Sequence, residues 1–330
     1  MIPRRTLFHL GLAATTPSIL TACAAGLGST ASHHPGLEPA GTVLDLWPSR
    51  APGGEHVNVL QAEVERSHDP TFHDIAITHT TTPTLTFFRP QTPNGASVLI
   101  IPGGSYQRVV VGKEGSEIAK WLNGRGIAAF VLLYRLPADG WSAGPDAPLQ
   151  DAQRAVRLIR RQAPVLGLDP NRVAVMGFSA GGHLAARLAT RFSLATYDPI
   201  DEVDGLPARP DLVALGYAVI SFKDGVGHAG SRTQMLGRNP DAETVNTYSA
   251  EVDVPSQTPP TFLMCAADDA TVPPDNSILM FQALRRARVP AALHIFEAGG
   301  HGFGLRSETG PSTASWPDLF LAWSRGHGFA

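Results

Sequence analysis

The chain has 330 residues, of which 43% are hydrophobic and only 17% charged, with 26 Lys and Arg against 29 Asp and Glu, for a net charge of −3. That composition supplies a sizeable core and excludes an acidic or basic disordered tail and a solvated coiled coil. It also gives no general attraction to nucleic acid or anionic lipid, and two cysteines with no C-x-x-C pair exclude a disulfide scaffold and a zinc module.

The chain opens with Arg4-Arg5 and an apolar stretch from Leu7 to Leu20 that is interrupted by Pro17. The stretch is too short to span a bilayer, which takes roughly 20 apolar residues, and it matches a secretory signal. Arg4-Arg5-Thr6-Leu7-Phe8 resembles a twin-arginine export signal, and Leu20-Thr21-Ala22-Cys23 resembles a lipobox that ends on a lipidated cysteine. Residues 1–22 are therefore expected to be an export signal and Cys23 a lipid attachment point in the periplasm or cell envelope. Residues 23–44, rich in Ala, Gly, Ser and Pro, read as a flexible tether. Residues 45–330 read as a single domain.

No period of 20–50 residues is present. Leu85-Thr86-Phe87-Phe88 is an extended segment, and Ser97 to Ile101 is a continuous apolar run, as in a strand buried on both faces. The spacing of Ile118, Ala119 and Leu122 predicts a helix over Lys113 to Asn123, closed by Gly124 and Gly126. Ile127 to Tyr134 is a second buried strand. Leu149 to Leu166 is an amphipathic helix with Ala152, Ala155, Val156, Ile159 and Ala163 on one face. Its arginines 154, 157, 160 and 161 are expected on a solvated outer face. Arg172 to Met176 is a strand and Ala180 to Thr190 a helix. Leu212 to Val219, Thr261 to Ala266 and Ala292 to Phe296 are further strands, with a helix over Asp275 to Ala287. The alternation implies an α/β fold with a mostly parallel central sheet covered by helices on both faces. Chemistry in such a sheet gathers at the carboxyl ends of the strands.

Gly177-Phe178-Ser179-Ala180-Gly181 is a G-x-S-x-G segment between a predicted strand and a predicted helix. It marks Ser179 as a nucleophile on a tight turn at a helix N-terminus, where developing negative charge is favoured. His301, in the glycine-rich loop after a late strand, stands where a general base can reach that serine. Asp268 and Asp269, after the strand Thr261–Ala266, compete for the carboxylate that would orient His301. An oxyanion hole needs two N–H donors: Ala180 supplies one, and Gly104 or Ser105, in Pro102-Gly103-Gly104-Ser105-Tyr106, the other.

These segments resemble the α/β-hydrolase superfamily, and within it the acetyl-xylan and feruloyl esterase-like branch of bacterial carbohydrate esterases. The likeness extends to Leu46-Trp47-Pro48, Ala51-Pro52-Gly53, Glu114-Gly115, Tyr134-Arg135-Leu136, Asp151 with Arg154-Ala155, Asp269 to Pro273 with Asn276-Ser277, and Gly300-His301-Gly302. It implies an α/β-hydrolase fold without a large cap domain, and Asp269 as the acid, through its D-x-x-V-P frame. It also implies a serine carboxylesterase acting on short acyl esters of sugars or polysaccharides such as xylan, with no metal or organic cofactor. Arg135 and Asp151 are expected to pair beneath the site loops. Tyr106 and His183 are pocket candidates, each also readable as a buried core residue. Ser105 departs from the family loop, which carries a third glycine there. Its N–H remains, but its Cβ narrows the approach and leaves the acyl range open. The expected partners are a small-molecule or saccharide ester, with the membrane reached only through a lipid at Cys23, and the expected state is a monomer or small homo-oligomer. Two other readings share the features. One is a prolyl-oligopeptidase-like peptidase, whose usual propeller the chain has no room for; the other is a non-catalytic envelope lipoprotein on the same fold.

Overall fold

A computed structural model describes residues 41–69, 72–306 and 311–330. The export signal, Cys23 and most of the expected tether lie outside the described residues.

The main sheet has eight strands in the order β1-β4-β6-β5-β7-β8-β9-β10. They are β1 (Thr42–Asp45), β4 (Thr84–Phe88), β5 (Ser97–Ile101), β6 (Ala128–Leu133), β7 (Val173–Phe178), β8 (Leu212–Gly216), β9 (Thr261–Ala266) and β10 (Ala291–Phe296). Only β1 and β4 run antiparallel to their neighbours; the other strands pair in parallel. Two further strands, β2 (Ala62–Glu65) and β3 (Ile75–Thr78), form a separate hairpin-like sheet. The tether boundary expected at residue 44 falls inside β1, whose Thr42 pairs with Phe87, so the chain joins the sheet three residues earlier.

Alternation along the strands separates two cores. Leu99 and Ile101 of β5 point into one layer, and Val98 and Ile100 into the other. The first layer is closed by α2 (Ala147–Leu166), α3 (Ser179–Arg191) and α6 (Asp275–Arg286). The second is closed by α1 (Glu117–Asn123) and α7 (Trp316–Gly326). Between β8 and β9 lie two short helices, α4 (Ala229–Leu236) and α5 (Ala242–Tyr248), with no cap domain. Among the described residues, no helix is long and apolar enough to cross a membrane.

Three expectations need correction. The helix predicted from Lys113 begins with a wide turn, Gly112–Ser116, before regular α1. That turn draws the Glu114 side chain inward. The strand predicted to Val219 ends at Gly216, because Tyr217 takes φ 34° and the chain turns there. Finally, the α2 arginines are not all solvated. Arg154 and Arg160 are buried beneath the 196–211 segment, where Arg154 pairs with Asp201 and Asp204 and donates to the Leu46 carbonyl. A guanidinium on an amphipathic helix looks solvent-facing in sequence whenever the segment covering it lies far away along the chain.

Arg135, at the end of β6, has no exposed surface and pairs with Asp151 of α2 at 2.9 Å. It also donates to the carbonyls of Pro52 and Ala147 and to Gln150 Oε1, while Trp47 Nε1 donates to Asp151 Oδ1 at 2.8 Å. Both charges are thus satisfied, as burial demands. The Trp47 and Pro52 segments therefore serve as part of the seat for this pair, which pins the loop after β6.

Candidate active site

Parallel pairing of β5, β7, β8, β9 and β10 brings their carboxyl ends to one edge of the sheet. Ser179 follows β7 there and opens α3, with φ 51°, a left-handed conformation that is costly for a non-glycine residue. The turn is possible because its neighbours are glycines. A Cβ on Gly181 would lie 2.2 Å from the Ile101 carbonyl oxygen, and one on Gly177 would lie 2.4 Å from that of Gly181.

Ser179 Oγ is 2.9 Å from His301 Nε2, and His301 Nδ1 is 2.7 Å from Asp269 Oδ2. The second oxygen of Asp269 accepts the N–H groups of Thr271 and Val272, both at 2.9 Å. The neighbouring acid points elsewhere: Asp268 Oδ1 accepts the N–H groups of Gly299 and Gly300 and so anchors the loop that carries His301. The Asp269 carboxylate is buried, whereas His301 is partly open to solvent. With Asp269 holding the Nδ1 proton, His301 Nε2 is free to accept the serine proton.

The loop after β5 faces the serine. Gly103 N–H donates to Glu114 Oε2 at 2.7 Å, and the Pro102 carbonyl accepts the Tyr134 hydroxyl at 2.8 Å. Gly104 lies at φ 130°, where a Cβ would collide with the Arg108 carbonyl. Gly104 and Ser105 have no N–H partner among the described residues. Ala180, in the first turn of α3, belongs to the amides that lack an intrahelical acceptor. These groups can donate to an oxyanion formed at Ser179.

Sequence reasoning assigned no role to two supporting residues, Glu114 and Tyr217. Glu114 is buried and accepts from Tyr217 Oη at 2.9 Å as well as from Gly103. The Tyr217 ring stands edge-on to the His301 imidazole, with centroids 5.1 Å apart. Burial, reinforced by the Glu114 carboxylate, pushes the Tyr217 phenol well above its ordinary value of 10.0, so it remains a donor. An acid three residues after the apolar Val109-Val110-Val111 run was the available signal.

Tyr106 and His183, readable either as pocket or as buried core residues, lie in the interior: both are buried and bonded to each other, Tyr106 Oη to His183 Nδ1 at 2.8 Å. His183 Nε2 donates to the Tyr248 carbonyl at 2.7 Å. Burial, helped by the nearby Arg187 charge, lowers the His183 pKa to about 3, so the ring is neutral. Among the described residues, no group of three or more His, Cys, Asp and Glu side chains is arranged to hold a metal ion.

A mostly parallel sheet with a serine elbow after β7, an acid after β9 and a histidine after β10 defines an α/β-hydrolase. The chain belongs to the BD-FAE family, which matches residues 87–284. It is 36% identical over 222 residues to an acetylxylan esterase of Xylanibacter ruminicola, covering 66% of this chain and 43% of that protein. It is 35% identical over 229 residues to endo-1,4-beta-xylanase B of Butyrivibrio fibrisolvens, covering 69% of this chain and 34% of that protein. The matches thus span less than half the length of these two relatives. Among solved structures, an acetyl ester-xyloside bifunctional hydrolase from Caldicellulosiruptor lactoaceticus superposes with a TM-score of 0.71 at 37% identity. That match covers 89% of this chain and 99% of the other.

Proposed function

We propose that this protein is a serine carboxylesterase that removes short acyl groups, acetyl above all, from sugars or polysaccharides such as xylan. The observation that carries the reading is the continuous hydrogen-bonded relay from Ser179 through His301 to Asp269. Ser179 Oγ attacks the ester carbonyl as His301 Nε2 takes its proton. The carbonyl oxygen becomes an oxyanion held by the N–H of Ala180 and that of Gly104 or Ser105. The C–O bond to the alcohol then breaks, and the alcohol leaves with the proton from His301. Water, deprotonated by His301, attacks the acyl-enzyme and releases the carboxylic acid and Ser179. Every proton in this sequence moves between water, substrate and side chains of the chain, so the mechanism calls on no cofactor.

The substrate class draws support from the names of the similar proteins, an acetylxylan esterase and an acetyl ester-xyloside hydrolase. Between Ser179 and Asp269 the sequence holds no long apolar insertion resembling a lipase lid, which argues against long-chain lipids. Export and lipid attachment at Cys23 complete the proposal and suit a polymeric substrate outside the cytoplasm. Ser179→Ala should abolish hydrolysis of p-nitrophenyl acetate and labelling by a fluorophosphonate without unfolding the protein; retained hydrolysis overturns the reading. A panel of acetylated xylo-oligosaccharides and longer acyl esters tests the substrate class.

A further inference from the structure

Ser105 and Tyr106 are consecutive non-glycine residues in the left-handed region, at φ 60° and 59°. L side chains rarely adopt that conformation, and two in succession persist only where the surroundings impose it. The backbone bonds of the loop act around this pair rather than on it. Gly104 O accepts the N–H groups of Gln107 and Arg108, Gly103 O accepts that of Val110, and Pro102 O accepts the Tyr134 hydroxyl. The Tyr106 side chain, 1% exposed, holds the pair directly. Its hydroxyl is 2.8 Å from His183 Nδ1. His183 lies one turn after Ser179 on α3 and is itself fixed by its bond to the Tyr248 carbonyl. A carbonyl oxygen only accepts, so His183 carries its proton on Nε2 and Nδ1 must be the acceptor for Tyr106.

We propose that Tyr106 and His183 are positioning residues for the oxyanion hole. Their buried hydrogen bond ties the strained Ser105–Tyr106 turn to the helix that carries Ser179. It thereby holds the loop amides of residues 104 and 105 opposite the Ala180 N–H. A glycine at 105 would take φ 60° freely; the serine here does not, so this chain depends on the tie for a geometry its backbone would otherwise leave. The inference rests on the esterase reading above.

Tyr106→Phe removes one hydroxyl and keeps the ring. With p-nitrophenyl acetate it should lower kcat about tenfold to a hundredfold with KM within about threefold, a smaller loss than the roughly hundred- to thousandfold for deleting an oxyanion donor. Inhibition by a trifluoromethyl ketone, whose adduct carries the oxyanion, should weaken by the same factor. His183→Ala should match that loss, the double variant should be no worse than either single one, and His183→Asn, whose Oδ1 lies near the lost Nδ1, should recover part of kcat. A merely structural role would lower the melting temperature without separating kcat from KM. The inference is overturned if Tyr106→Phe keeps kcat within threefold, or if the two single losses multiply in the double variant. Wild-type protein without esterase activity overturns the reading and the inference together. An active wild type with an unimpaired Tyr106→Phe overturns the inference alone.

Discussion

Adjacent aspartates with different tasks provide a stringent test of the relay. In Asp269→Asn, the side-chain oxygen has a fixed job, because Thr271 and Val272 both point N–H groups at Asp269 Oδ1. The new amide must therefore keep its oxygen there and turn its NH2 toward His301 Nδ1, now occupied by the carboxylate at 2.7 Å. That contact forces Nδ1 to accept and places the ring proton on Nε2, which then cannot take the Ser179 proton. A locked tautomer costs about 10³- to 10⁴-fold in kcat, or about 4–5.5 kcal/mol of barrier. Asp268→Asn differs, because its oxygen can still accept from Gly299 and Gly300. It should stay within about fivefold of wild type, since both of the carboxylate's neutral-donor bonds survive. The assay is kcat and KM for p-nitrophenyl acetate at pH 7–8, with thermal melts to show that both variants are folded. An Asp269→Asn enzyme within tenfold of wild type, or an Asp268→Asn enzyme more impaired than it, refutes the reasoning.

Further outcomes follow from the buried polar groups. Glu114→Ala leaves Gly103 N–H and the Tyr217 hydroxyl without their acceptor. At about 1–3 kcal/mol for each unpaired buried donor, it should lose roughly 2–6 kcal/mol in urea unfolding, together with activity, whereas Glu114→Gln should lose less because its amide can still engage both groups. Asp151→Ala strands the Arg135 charge, which is fully buried. It should cost about 3–5 kcal/mol in the same measurement, and a change under 1 kcal/mol would contradict the account of that pair. The lowered pKa of His183, about 3, also makes stability depend on pH. Burial, with Arg187 as its charged neighbour and the Tyr248 carbonyl opposing them, means that the unfolded chain binds the proton first as pH falls. The stabilisation is complete above the unfolded value of about 6.5 and is lost toward pH 3 at up to about 1.4 kcal/mol per pH unit. Unfolding at pH 7, 5 and 4 should show a shallower slope in His183→Asn than in wild type.

Much of the framework was legible locally. Apolar runs such as Ser97–Ile101 and Val173–Phe178 declare strands covered on both faces, hence a parallel sheet. Glycines at 177 and 181 declare a turn too tight for any Cβ. Those signals arise from steric and solvation demands within a few residues, so chain order alone carries them. Other features depend on partners far away along the chain. Asp268 and Asp269 are chemically identical neighbours, and only the direction of the loop after β9 sends one to the imidazole and the other to the amides of residues 299 and 300. Glu114 meets Tyr217 across 103 residues, and Tyr106 meets His183 across 77. Arg154 looks solvent-facing on its helix until Asp201 and Asp204 close over it. The inward turn of the chain at Tyr217, where an apolar run promised more strand, belongs with them. Local sequence thus determined which backbone shapes form and which side chains carry reactive chemistry. The D-x-x-V-P frame already pointed to Asp269 as the acid, but tertiary structure alone decided how that carboxylate turns to the histidine and which buried groups hold the loop, because a hydrogen bond has a direction that residue type and spacing do not encode.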